Sequence, residues 1–254
     1  ADATFATPTA TSRLGNYHQI SVKDFAISGT LESVDKAGRE RESAYQKVLK
    51  SLELRRDIEK SVGDTNVARS ASDPRKSASL ITWMTNVSKP SDMGHGTGDG
   101  TDTADLTGTA RALTLAQIES ANQEAWEDGG NPQILVCSAT NKANISNLSA
   151  AGTNLVTNQV NATAGTAPSF VGAVSVFLTD FGELQLTPSR FLSNDKLFII
   201  DPDYVCIGTL NGRNFAESEL SKTGDADKTQ IVTEFTLVVK SPKAHAAVFG
   251  LNGS

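Results

Sequence analysis

The residues able to do covalent or acid–base chemistry are few, and their spacing works against each chemistry in turn. His18, His95 and His245 lie far apart, with no HxxxH or HExxH spacing to hold a metal or activate water. Cys137 and Cys206 sit in apolar runs without a basic or histidine neighbour to favour a thiolate. Both thiols are expected to be buried and reduced, and a disulfide between them stays open. Gly94-His95-Gly96-Thr97-Gly98-Asp99-Gly100 resembles a phosphate loop, but Asp99 stands where the dinucleotide pattern needs glycine, and no strand leads into it. Asp99, Asp102 and Asp105 are spaced by three rather than the two of a calcium loop, and no glutamate closes the set. The stretch therefore reads as a flexible, exposed loop. Asp180-Phe181-Gly182 copies a kinase tripeptide without the other kinase segments, and a turn between two strands accounts for it. The expectation is no catalytic residue, no cofactor and no metal.

The elements that would have to position any site are unusual in length. Asn16 to Ser28 alternates with both faces mixed, which predicts a strand that needs a partner. Thr30 can cap the following helix, with Glu32 in its first turn. Apolar residues at helical spacing (Val34, Ala37, Tyr45, Val48, Leu49, Leu52, Ile58, Val62) predict a helix over 31–62, supported by a Glu32–Lys36 pair. At 1.5 Å per residue it would run about 48 Å. Its apolar stripe thins out where Arg55, Arg56, Asp57, Glu59 and Lys60 crowd together, as expected of a helix that meets neighbouring subunits.

Further along, Leu80 to Val87 reads as a short buried segment around Trp83, and Ser91 to Thr109 as a loop. A helix is predicted over Leu113 to Asp128, a strand over Ile134 to Cys137 and a second helix over Asn141 to Leu148. Strands are predicted over Phe170–Thr179, Glu183–Thr187, Leu197–Ile200 and Tyr204–Leu210. After a turn at Thr223-Gly224-Asp225, Thr229 to Lys240 alternates without a break, a strand of about 40 Å. A last short strand covers Ala244 to Leu251. The fold class is α+β.

Composition narrows the function classes. The 254 residues carry 23 Lys+Arg against 29 Asp+Glu, a net charge of −6, and no basic block, which argues against phosphate-backbone recognition. No apolar run approaches the ~18–20 residues that span a bilayer, and Ala1 to Thr11 lacks the regions of a signal peptide. The first dozen residues, rich in Ala and Thr and without an initiator Met, read as a partner-dependent arm of a processed chain or a fragment.

The ordered set of segments carries a resemblance. Arg13-Leu14-Gly15-Asn16-Tyr17 is followed by Ser28-Gly29-Thr30, Val34-Asp35-Lys36-Ala37-Gly38-Arg39 and Leu54-Arg55-Arg56-Asp57-Ile58-Glu59. Then come Gly129-Gly130-Asn131-Pro132, Thr179-Asp180-Phe181-Gly182, Pro188-Ser189-Arg190-Phe191 and Leu220-Ser221-Lys222-Thr223-Gly224-Asp225. Together, over about residues 13–251, they resemble the SU10-like major capsid proteins of tailed bacteriophages, which have the HK97 fold. The resemblance implies that 1–30 is an arm and one strand of the extended E-loop, which lies over a neighbouring subunit. It implies a peripheral domain over 31–111 with its spine helix at 31–62, and an axial domain over 112–222. The chain would return to the peripheral domain over 223–242 and to the axial domain over 243–254.

Family members carry an arm and an outgoing E-loop strand ahead of the region that starts here, so a matured or incomplete chain is expected. The implied function is a structural, non-enzymatic protein of the virion, made in the bacterial cytoplasm. It would assemble with itself into pentamers and hexamers of an icosahedral head around double-stranded DNA, without sequence-specific binding and without a membrane. Decoration or cement, scaffolding and portal proteins are the implied further partners. Lys23, Asp24, Arg55, Arg56, Asp57 and Glu59 are the candidate inter-subunit contacts. A soluble α+β enzyme with a site assembled from distant residues, or an oligomeric tail or baseplate component, are the competing readings.

Overall fold

A computed structural model describes residues 13–34, 37–38, 41–150, 176–222 and 224–253. Among the described residues, ten strands form two sheets. In the six-stranded sheet the order is β2 (Asn86–Ser88), β10 (Ala246–Phe249), β6 (Lys196–Ile200), β3 (Ile134–Cys137), β5 (Gly182–Pro188) and β4 (Val176–Thr179). β10 runs parallel to β2 and β3 parallel to β5; the other pairs are antiparallel. The second sheet is a long ribbon around β9 (Ala226–Val239), with β1 (Gln19–Ser28) along one side. On β9's other side β7 (Val205–Thr209) pairs with Val239 to Phe235, and β8 (Ala216–Leu220) with Val232 to Lys228.

Each face of the six-stranded sheet carries a core. Helices α3 (Leu115–Glu127) and α4 (Ala139–Ala150) cover one face, where Ile118, Ala125, Leu135, Ile145, Phe177 and Leu184 are buried. The α3 start is secured by a capping box between Thr114 and Gln117. The other face holds Trp83, Met84, Phe198 and Phe249, with Phe198 and Phe249 edge to face at 6.4 Å. The ribbon's own core is small, with Leu54, Ile58, Ile231 and Phe235 buried. β9 joins the two, because Leu237 and Val239 at its far end belong to the second core.

The expected helix over 31–62 is broken. α1 covers Gly29–Ser33 and α2 covers Glu42–Gly63, with Val34 already extended at ψ 129° and Gly38 at φ +83° between them. A positive φ ends a right-handed helix, and glycine reaches it without the Cβ penalty. The break is bridged by Glu32, whose carboxylate accepts the Ser43 N–H at 3.2 Å and the Ser43 hydroxyl at 2.9 Å. A carboxylate there complements the positive end of the α2 dipole. Ser28, not Thr30, caps α1, its Oγ accepting the Leu31 N–H.

Three further expectations change. The glycine stretch at 94–100 is a loop exposed only on one side: His95 and Thr97 are open, but Gly96, Gly98 and Gly100 are buried, and a Cβ at Gly100 would lie 2.9 Å from the Trp83 ring. Glycine is needed for that close approach rather than for phosphate. Cys137 is buried and its thiol is pushed up to about 11 by desolvation, whereas Cys206 is exposed, and both are free. Strand alternation puts Cys206 on the outer face of β7, opposite Val205 and Ile207. β8 was not expected, since its Ala-Glu-Ser-Glu-Leu sequence has little strand character.

The Asp180-Phe181 turn does join two strands, closing the β4–β5 hairpin between Thr179 and Gly182. Sheet membership departs from the expected sequence ranges at two places. β2, inside 31–111, joins the six-stranded sheet, and β7 and β8, inside 112–222, join the ribbon. The arm over 1–12, Lys36, the first part of the strand expected from Phe170, and Thr223 lie outside the described residues.

Candidate assembly surface

The ribbon buries one face of β1 and leaves the other open. Gln19, Ser21, Lys23, Phe25 and Ile27 point toward α2, and Ile20, Val22, Asp24 and Ala26 point to solvent. Ile20 is 44% and Val22 42% exposed, large values for apolar strand residues. α2 repeats the pattern with two stripes. Leu54 and Ile58, with Val62 beside them, pack on Ile231 and Phe235 of β9. Tyr45, Val48 and Leu52, spaced by three and four, face away, with Val48 60% and Leu52 41% exposed. The stripe seen in the sequence is thus two stripes, only one of which builds the core.

The charged residues singled out from the sequence converge in part. Lys23 Nζ pairs with Asp57 Oδ2 at 2.7 Å, fixing β1 to α2 within one chain. That hydrogen bond, more than the surrounding charge, raises the lysine's pKa. Glu59 Oε1 accepts the Ser189 hydroxyl at 2.7 Å, and the Arg55 guanidinium lies 5.4 Å from the centre of the Phe215 ring. Asp24 and Arg56 are exposed, and among the described residues neither has an ion-pair or hydrogen-bond partner. Of the six candidates, four are tied down inside the subunit and two project freely.

The C-terminal end of α2 is anchored to the six-stranded sheet by a buried lysine. Lys196 Nζ, on β6, lies 3.2 Å from carboxylate oxygens of both Asp64 and Asp195. Partial burial alone would raise the Asp64 carboxyl, but the hydroxyl and N–H of Ser193 and the Lys196 ammonium hold it below the usual range.

Among the described residues, no group of three or more His, Cys, Asp or Glu is placed to hold a metal ion. None of their helices is long and apolar enough to cross a membrane. His245 is fully buried, its Nδ1 accepting the Asp201 N–H at 3.1 Å. Burial pushes its pKa below the ordinary value against the opposing pull of the Asp201 carboxylate. In the glycine-rich loop, Asp99 and Asp105 are held below the usual carboxylate range by the hydroxyls and N–H groups of Thr101 and Thr107. Those are turn-forming contacts within the loop.

A long helix and a long strand side by side, beside a mixed sheet, match a known architecture. The family model for the SU10 major capsid protein matches residues 1–252. The chain belongs to that family. Its function is therefore that of a major capsid protein, a structural protein of the phage shell that assembles with copies of itself.

Solved shells show the same fold at low sequence identity. A chain of the satellite phage P4 procapsid, which includes the size determination protein Sid, has TM-score 0.60 at 13% identity, covering 98% of this chain and 76% of that one. The holo-SrpI encapsulin complex of Synechococcus elongatus has TM-score 0.59 at 9% identity, covering 93% and 75%. The structure of phage G gp27 major capsid proteins with gp26 decoration proteins has TM-score 0.53 at 10% identity, covering 99% and 77%. The capsid protein has the HK97 fold that these shells share. No curated protein matches it in sequence.

The surface features that sequence reasoning missed are Ile20, Val22 and the Tyr45–Val48–Leu52 stripe as a separate face. The signal was there in the mixed alternation of β1 and in the excess width of the helical apolar set. What sequence lacked was the pairing of β1 with β9, which decides the face that α2 covers.

Proposed function

We propose that the capsid protein closes rings of five and six copies through a head-to-tail contact between the outer face of β1 and the outward stripe of α2. A heterologous contact of this kind closes by rotation, so one pair of surfaces serves both rings. The observation that carries the reading is the match between the two exposed runs. Ile20, Val22 and Asp24 repeat every two residues, about 6.6 Å along a strand. Val48, Leu52 and Arg56 repeat every four, about 6 Å along a helix. Each run is apolar, apolar, charged, and the charges are opposite. In this reading Lys23, Asp57, Arg55 and Glu59 shape the contact by fixing β1, Phe215 and the loop at Ser189, while Asp24 and Arg56 reach the neighbour.

The ribbon with α2 would then act as the peripheral region, over 223–242 and most of 31–111 with β7 and β8 added. The six-stranded sheet would act as the axial region around the ring axis, over 243–254 and the rest of 112–222 with β2 added. The shell would enclose double-stranded DNA in a virion made in the host cytoplasm, its net charge of −6 fitting a container that does not grip its contents. Decoration, scaffolding and portal proteins would be its further partners.

A charge exchange tests the contact. Asp24→Arg and Arg56→Asp should each place like charges together and lower assembly by about tenfold or more, read by size-exclusion chromatography and negative-stain microscopy. The double variant should restore shells. If the double variant assembles no better than the single ones, the two runs do not meet.

A further inference from the structure

Between the ribbon and the six-stranded sheet lies an open groove of about 430 Å³, within the size range of ligand sites. Its lining includes Val62 from α2, Val136 and Phe198 from the sheet, Phe235 from β9 and Ile207 from β7. Ile207 is 51% exposed at the rim, where a side chain of that size is normally covered.

The same rim carries an open strand edge. Leu210 N–H donates to Glu234 O and Lys240 N–H to Tyr204 O, which fixes the phase of the β7–β9 ladder. In an antiparallel pair alternate residues bond inward, so the N–H and C=O groups of Val205, Ile207 and Thr209 point away from β9. Among the described residues nothing pairs with them. Unpaired backbone and an apolar groove therefore lie side by side, and Ile207 and Thr209 contribute to both. Arg55 stands at the groove with no carboxylate partner among the described residues, while the nearby Glu59 is engaged by Ser189.

We propose that this groove binds an extended peptide segment of a partner protein, which adds as a strand to the free edge of β7. Alternate apolar side chains of the peptide enter the groove, and an acidic residue meets Arg55. Added strands gain affinity from backbone hydrogen bonds and specificity from the pockets beneath alternate side chains. The free edge excludes a lipid or a compact small molecule as the best fit, because neither uses a row of backbone donors and acceptors. The inference stands apart from the ring contact, which uses the outer faces of β1 and α2.

The test measures fluorescence anisotropy of a fluorescein-labelled peptide, Asp-Leu-Thr-Leu-Thr-Leu, with full-length unassembled protein. A control, Asp-Thr-Thr-Leu-Leu-Leu, has the same composition without alternation. The alternating peptide should bind saturably and about tenfold more tightly than the control. Ile207→Pro removes an outward N–H and no internal ladder bond, so the sheet should stay intact while binding falls by about tenfold. Arg55→Glu should weaken binding by a similar factor. Circular dichroism checks each variant, and if Ile207→Pro does not fold, Thr209→Lys must weaken binding in its place. Absence of saturable binding, equal affinity for the two peptides, or variants that bind like the parent would overturn the proposal. Binding to free subunits that vanishes on assembled shells would assign the groove to a neighbouring copy, and would also overturn it.

Discussion

The six-stranded sheet and the ribbon are built from the same kinds of residue and end up with opposite relations to solvent. The sheet is covered on both faces at its centre, by α3 and α4 on one and by Trp83, Phe249 and the end of β9 on the other, and only its β4 edge leaves apolar residues, Val176 and Leu178, open. The ribbon has one helix on one face, four fully committed core residues, and exposed Ile20, Val22, Val48 and Leu52 around them. A region that buries its own apolar surface is stable alone, whereas one that leaves a row of it exposed is completed by association. In the proposed assembly, the difference separates what makes the subunit fold from what makes it assemble.

That separation can be broken by substitution. The largest loss should come from Phe249→Ala, which removes a fully buried ring, edge to face with Phe198, from the second core and should cost about 3–5 kcal/mol. Chemical denaturation should show it as a global effect; a loss under about 1 kcal/mol would mean the sheet is not the stable part. Phe235→Ala should cost less, about 3 kcal/mol or below, because the site already borders open space and leaves little new closed cavity. Hydrogen exchange should quicken in β1 and the first half of β9 and stay slow in β3 and β6.

Acid sharpens the comparison from the other side. His245 has a folded pKa below its ordinary 6.5, so the unfolded chain binds the extra proton. Its contribution is fully present above about pH 6.5 and is lost as pH falls below that value. Thermal denaturation should therefore show a melting temperature that falls on acidification, and His245→Gln should flatten that part of the profile. Smallest of all in the free subunit is Leu52→Asp, expected to change stability by no more than about 0.5 kcal/mol because the side chain is already exposed. The same change should abolish shells in negative-stain images. Loss of folding instead would show that the outward stripe belongs to the subunit core.

Legibility in the sequence followed range. Ile134–Cys137, the Asp180-Phe181 turn and the long alternation that became β9 were readable because each is set by neighbouring residues. The helix break was signalled by Gly38 but overruled by the apolar period on either side, which continues in phase across it. The exposure of Cys206 depends on which face of β7 turns toward the groove, a fact carried by residues far away in sequence. The groove draws on α2, β3, β6, β7 and β9 together, so no window of sequence contains it. The charged candidates were found as a cluster, but only geometry distinguishes Lys23 and Asp57, which satisfy each other, from Asp24 and Arg56, which do not.

β9 has one place where its side strands change over. β8 reaches Val232 and β7 begins at Phe235, so Thr233 and Glu234 fall in the gap. Arg75 and Arg213 grip the two oxygens of Glu234 at 3.1 and 2.9 Å, and the Thr233 hydroxyl accepts the N–H of Phe215, itself at φ 50°. Mechanically the ribbon is a cantilever, rooted in the body of the subunit through Leu237 and Val239 and loaded at its tip by whatever it touches. A beam yields where its section is thinnest, and here the thinnest section is splinted by a two-armed charged brace. Bending the ribbon there would strain two ion pairs and the backbone bonds of Glu234 to Leu210 and Arg213 together, so the changeover is stiffer than its strand count suggests.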